Sequence, residues 1–128
     1  MTLSDIRAYC LAKVGASEEL PFDNNTPVFK VGGKIFAITN SEAISINLKC
    51  DPERALELRA SYEAVQPGYH MNKRHWITVL FDGSIPKREI QSWIDDSYTL
   101  VVASLPKSKR PALASTPVND IKEQAPKR

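Results

Sequence analysis

The densest polar and cationic stretch of the 128-residue sequence is His70-Met71-Asn72-Lys73-Arg74-His75-Trp76. Lys73 and Arg74 carry charges that can neutralise phosphates, Asn72 and Arg74 have groups that reach base edges, and the Trp76 ring can stack a base. Adjacent residues on a regular strand point to opposite faces, so Lys73 and Arg74 act together only if a turn lies between or around them. A solvated hairpin without a ligand is the competing explanation. His70 and His75 do not read as a metal site, because no Asp, Glu or Cys beside them completes a ligand spacing.

Catalytic chemistry finds no constellation. Cys10 falls on the inward stripe of a helical pattern and Cys50 on the inward face of a strand pattern, where a small buried thiol is the default. Phosphate-loop, dinucleotide and nucleophile-elbow glycine patterns are absent. Asp95-Asp96 belongs to the polar side of a helix and reads as a solvated face. The expectation is a non-enzymatic protein with no metal, no cofactor and no identifiable small-molecule substrate.

The elements that must position these residues follow from periodicity. Thr2 reads as an N-cap with Asp5 three residues on, opening a helix whose stripe is Leu3, Ile6, Cys10 and Val14 and whose stop is Gly15. After a loop from Ser17 to Pro27, strands Val28 to Val31 and Lys34 to Thr39 flank Gly32-Gly33, a dipeptide that tolerates the positive φ of a tight hairpin. Ile44, Ile46, Leu48 and Cys50 then alternate with Ser45, Asn47 and Lys49, as a half-buried strand requires. Asp51-Pro52 opens a helix to about Tyr62 with Ala55, Leu58 and Tyr62 inward. Beyond Pro67-Gly68, a short strand over Tyr69 to Met71 turns at Asn72-Lys73 into a longer one, His75 to Phe81. Ser84 and Pro86 start a last helix with Ile90, Trp93, Ile94, Tyr98 and Val101 on one face and Leu105 near its end.

This order, α-β(3)-α-β(2)-α, predicts an α+β domain: a two-layer α/β sandwich with an antiparallel sheet. One face of the sheet meets the helices. The other carries Ser45, Asn47, Lys49, Trp76, Thr78 and Leu80, with Lys30 beside them. An aromatic ring among cations on an open face can stack a base or accept a protein partner; equally, Trp76 can be covered by the tail, a loop or a dimer mate.

Length and composition fit one ordinary domain, at 42% hydrophobic and 25% charged residues. Two cysteines far apart do not make a disulfide framework, so a reducing, cytoplasmic setting is expected. No apolar run approaches a membrane span. Residues 1–105 hold 11 Lys and Arg against 13 Asp and Glu, a net of −2, whereas 106–128 hold 6 against 2, a net of +4. The basicity therefore belongs to the final segment, which contains four of the nine prolines and no aromatic residue. Its composition predicts a domain over 1–105 and a disordered basic tail over 106–128.

Four stretches together resemble the MmcQ/YjbR family of small bacterial proteins: V-G-G-K-I-F-A at 31–37, L-K-C-D-P-E at 48–53, P-G-Y-H-M-N-K-R-H-W-I-T-V at 67–79 and S-Y-x-L-V at 97–101. The likeness covers about residues 1–110, and departs at Pro21-Phe22-Asp23, where many members have a proline-phenylalanine-glycine turn, and in the long final segment. It implies a CyaY-like, or secretion-chaperone-like, α+β fold and DNA binding through a double-wing arrangement. Carried over by position, the wings are the hairpins Lys30 to Lys34 and Tyr69 to Trp76. Lys30, Lys34, Asn72, Lys73, Arg74 and Trp76 are the expected DNA contacts. A protein-interaction or chaperone-like module, or self-association, using the sheet face around Trp76 is the alternative. Iron binding, which the frataxin-like comparison raises, is disfavoured because the first helix has Asp5 and then nothing acidic until Glu18.

Overall fold

A computed structural model describes residues 2–20, 26–40, 45–68 and 72–111. Helix α1 (Leu3–Leu11) opens on a capping box, with Asp5 N donating to Thr2 Oγ1 at 3.2 Å and Thr2 N to Asp5 Oδ2 at 3.0 Å. Strands β1 (Ala16–Glu19), β2 (Val28–Val31), β3 (Lys34–Thr39) and β4 (Ser45–Lys49) follow. Helix α2 (Pro52–Ser61) begins on the Asp51 cap with proline in its first turn, where a missing N–H costs nothing. Strands β5 (Val65–Pro67) and β6 (Trp76–Leu80) precede the long helix α3 (Lys87–Ser104) and a 3-10 turn, Lys107–Lys109.

The six strands form one antiparallel sheet in the order β1-β2-β3-β4-β6-β5. All three helices contribute to a single apolar cluster with one face of that sheet: Ile6 and Cys10 from α1, Ala55 and Leu58 from α2, Ile90, Trp93, Ile94 and Val101 from α3. The α+β two-layer expectation holds. Ile46, Leu48, Ile77 and Val79 are buried as the alternation requires, and Phe81 packs half-buried beside them. Ile44 lies outside the described residues.

Three details depart from the pattern. The segment read as a loop from Ser17 contains all of β1 but Ala16, and the strand's sequence Ala-Ser-Glu-Glu has no apolar alternation. It is a strand because it pairs with β2, and its acids find partners in Glu18 with Arg7 and Glu19 with Lys30, both at 3.0 Å. Charged edge strands of this kind discourage further pairing. The short strand beside β6 is Val65–Pro67, before the Pro67-Gly68 break; residues 69–71 are outside the described set. Proline is tolerated there because β5 is an edge strand. Finally, α1 stops at Leu11, so Val14 lies beyond the helix and is 39% exposed.

No helix among the described residues is long and apolar enough to cross a membrane. Residues 106–111, placed by composition in the tail, pack on the domain. Arg110 Nε donates to Leu105 O at 3.0 Å and its Nη2 to Ala103 O at 3.1 Å, satisfying carbonyls that a helix end leaves open. Gly32, at φ +58, admits this segment: a Cβ there would stand 2.5 Å from Leu105 Cδ1 and 3.0 Å from Lys109 O. The rest of the expected tail, 112–128, lies outside the described residues.

Candidate nucleic-acid interface

Strand directions decide which loops share an end of the sheet. In register, Val31 pairs with Lys34, Lys49 with Trp76 and Pro67 with Ile77. The Gly32-Gly33 turn, the β4–α2 turn and the β5–β6 loop therefore emerge at one end. The Lys107–Lys109 turn joins them through its contact with Gly32. Between the centres of the two hairpins lie three strand spacings of about 4.8 Å, or roughly 14 Å.

Each expected contact has a definite place. Lys34 is exposed beside Gly32-Gly33, both at positive φ. Lys73 and Arg74 are exposed in a turn closed by His75 N donating to Asn72 O at 3.1 Å, so the turn surrounds them. Asn72 shapes that turn: its Oδ1 accepts from Arg74 N at 2.9 Å, which leaves its amide N–H groups for other work. Lys30 is half-buried and ion-paired with Glu19. His70 is outside the described residues. Trp76 is half-buried at the same end of the sheet, across from Lys49, and Gly68 makes room for it, since a Cβ there would meet Trp76 Cβ at 2.7 Å.

Charge gathers at this end. Among the described residues, Lys34, Lys49, Lys73, Arg74, Lys107 and Lys109 are in no ion pair. Asp51, the nearest sequence acid to Lys49, is occupied capping α2. The middle of the helix-free face is more closed than the alternation implies. Thr78 is 3% and Ser45 7% exposed, and Thr78 Oγ1 donates to Asn47 Oδ1 at 2.5 Å.

Elsewhere the titratable groups serve structure. Burial pushes the Cys10 thiol up to about 12 and the Cys50 thiol up to about 11, so both stay protonated and unreactive at neutral pH. Asp95, read as a solvated carboxylate, accepts from Tyr9 Oη at 2.7 Å and pairs with Lys13, tying the end of α1 to α3. Burial and that hydrogen bond push the Tyr9 phenol upward. Among the described residues no group of three or more His, Cys, Asp or Glu is placed to hold a metal ion.

Two contributors were invisible in the sequence. Lys107 and Lys109 sit in a segment whose composition reads as tail, and only the space over Gly32 brings them to the hairpins. Ser97 is the other: its hydroxyl is fully buried, accepts from Lys49 N at 2.9 Å and donates to Phe36 O at 2.6 Å. Its sole signal is a polar residue within the apolar stripe of α3.

The chain is similar to known proteins over most of its length. The family model YjbR matches residues 11–100. The YjbR protein of Escherichia coli K12 is 40% identical over 117 residues, covering 88% of this chain and 98% of that one, and the YyaQ protein of Bacillus subtilis is 31% identical, covering 78% and 98%. A crystal structure of a Deinococcus radiodurans protein with a DUF419 domain superposes with a TM-score of 0.82 at 34% identity, covering 98% of this chain and 96% of that chain. A Pseudomonas syringae protein gives 0.67 at 32% identity, covering 78% and 98%.

Proposed function

From the premise that the chain belongs to the YjbR family, we propose that it is a non-enzymatic, cytoplasmic DNA-binding protein that grips the phosphate backbone with its two hairpins. The observation that carries this reading is the clustering of two hairpin turns and the unpaired cations at one end of the sheet. Lys34 from the first hairpin, Lys73 and Arg74 from the second, and Lys107 and Lys109 from the 3-10 turn supply the charge. Asn72 reaches base edges and Trp76 stacks at the margin. Lys30 has a smaller part, because its partner Glu19 must first be given up. The net −2 of residues 1–105 is no obstacle when the positive charge is concentrated locally.

A salt titration with duplex DNA tests it. Five phosphate contacts give a slope of log K against log salt of about −4.5, a loss of roughly 500-fold between 50 and 200 mM. Lys73→Ala with Arg74→Ala should bring the slope to about −2.7, whereas Trp76→Ala should weaken binding at unchanged slope, because stacking releases no counterions. No binding at 50 mM salt, or a double variant that keeps the parent slope, would sink the reading.

A further inference from the structure

Helix α2 and the turn from Asn72 to His75 leave between them a hollow of about 310 Å³. Part of its lining is apolar: Ala55 is buried, and Leu56 beside it is 63% exposed, the most exposed large hydrophobic side chain among the described residues. Three cations line the rest, Arg59 from α2 with Lys73 and Arg74 from the turn, against one carboxylate, Glu53. Two elements thus bring their charge to one place. On α2, Arg54 is paired with Glu57, whereas Arg59 is half-buried and has no ion pair among the described residues; Lys73 and Arg74 have none either. A concavity lined by an excess of one sign focuses its field and draws in ions of the other.

We propose that this hollow is a binding site for a small phosphomonoester carried on a single-ring body, its phosphate among Arg59, Lys73 and Arg74 and its ring against Leu56. Charge selects the head group: three cations less one carboxylate leave +2, which a phosphomonoester of about −1.5 to −2 at neutral pH matches and a carboxylate does not. Acceptor count agrees. Two guanidinium forks and an ammonium need more acceptor positions than the two oxygens of a carboxylate, and a phosphomonoester has three terminal oxygens. A phosphate within a DNA strand is a diester, with one charge and two free oxygens, so it is a poorer match. Size selects the body, since the volume lies at the lower end of the roughly 300 to 1,000 Å³ that ligand pockets span. Lys73 and Arg74 are also the duplex contacts assigned above, so a bound ester competes with DNA at the second hairpin. That competition rests on the DNA-binding reading; the site itself does not.

The probe is phenyl phosphate, titrated into the full chain at low salt and followed by backbone amide NMR shifts. Benzoate keeps the ring with one charge and two oxygens, and inorganic phosphate keeps the charge without the ring. Phenyl phosphate should saturate, move the amides of Leu56, Arg59, Lys73 and Arg74, and bind about ten-fold more tightly than either. Arg59→Gln should weaken it about ten-fold and leave the salt slope for duplex DNA unchanged, because Arg59 is not among the duplex contacts. Glu53→Gln, at an exposed position, should tighten it about three-fold, a gain that no folding defect produces. Saturating phenyl phosphate should also weaken duplex binding by the parent but not by the Arg59→Gln variant at the same concentration. No saturable shift at these amides, benzoate binding as tightly as phenyl phosphate, or an affinity that Glu53→Gln fails to raise would overturn the proposal. A chain that shows these responses yet binds no duplex overturns the DNA-binding reading and leaves the site standing.

Discussion

Ser97 stands where β3 and β4 part company. Ala37 pairs with Leu48, but the neighbouring rung, Phe36 with Lys49, is missing, and the register shift between β2 and β3 opposite Phe29 and Lys30 leaves Phe36 without a partner on β2 as well. The Ser97 hydroxyl fills that gap, accepting from one strand and donating to the other. Ser97→Ala would leave both main-chain groups buried and unsatisfied, so it should cost about 2 kcal/mol, read as a lower denaturant midpoint at unchanged m value. The thiols make a second prediction. An unfolded cysteine ionises near about 8.5, whereas the folded values are about 12 for Cys10 and about 11 for Cys50. Between those limits the native state holds protons that the unfolded state has lost. Their stabilisation is thus complete below the unfolded pKa and disappears as pH climbs through the folded values. Stability should fall more steeply above pH 9 in the parent than in the Cys10→Ala, Cys50→Ala variant. Iodoacetamide at pH 8 should label neither thiol until the protein unfolds.

At the level of elements, β4 has the strongest local signal and holds the centre of the sheet. Ile46 is fully buried, paired with Thr39 on one side and Val79 on the other. Ile46→Ala should cost about 2 to 5 kcal/mol through lost transfer energy and a residual cavity; an unchanged unfolding midpoint would show that the strand faces the other way. The helix starts were legible for similar reasons, since Thr2 with Asp5 and Asp51 with Pro52 satisfy end groups from within a few residues. For α3 the local signal was weaker: Pro86 precedes the helix without a side-chain cap, and Ser84 is engaged with Asp82, whose carboxyl those hydrogen bonds hold below its usual value. Strand β1 had no signal of its own, because pairing with β2 and two ion pairs made it.

Across the molecule, the positive charge that composition placed in the final segment is partly returned to the folded domain. Leu105 packs on Gly32 and the turn behind it presents Lys107 and Lys109 beside the first hairpin. Under the DNA-binding reading, Lys107→Ala with Lys109→Ala should reduce the salt slope from about −4.5 to about −2.7, as the hairpin double variant does. Thermal unfolding should be unchanged, since both side chains are exposed. Equal slopes for parent and variant would confine the interface to the two hairpins.

What the sequence by itself determined is whatever depends on neighbours within a few residues: the alternation of Ile46 and Leu48, the caps at Thr2 and Asp51, the Gly32-Gly33 turn, and a motif from Pro67 to Val79 long enough to mark a family. Hydrogen-bonding reach and the two-residue pleat set those locally. Tertiary structure alone decided the rest. Which cations face the same way depends on strand order, and the Ser97 bridge and the docking of Lys107–Lys109 each depend on atoms tens of residues apart. Contacts at that separation arise from the packing of whole elements, and no periodicity in the chain encodes them.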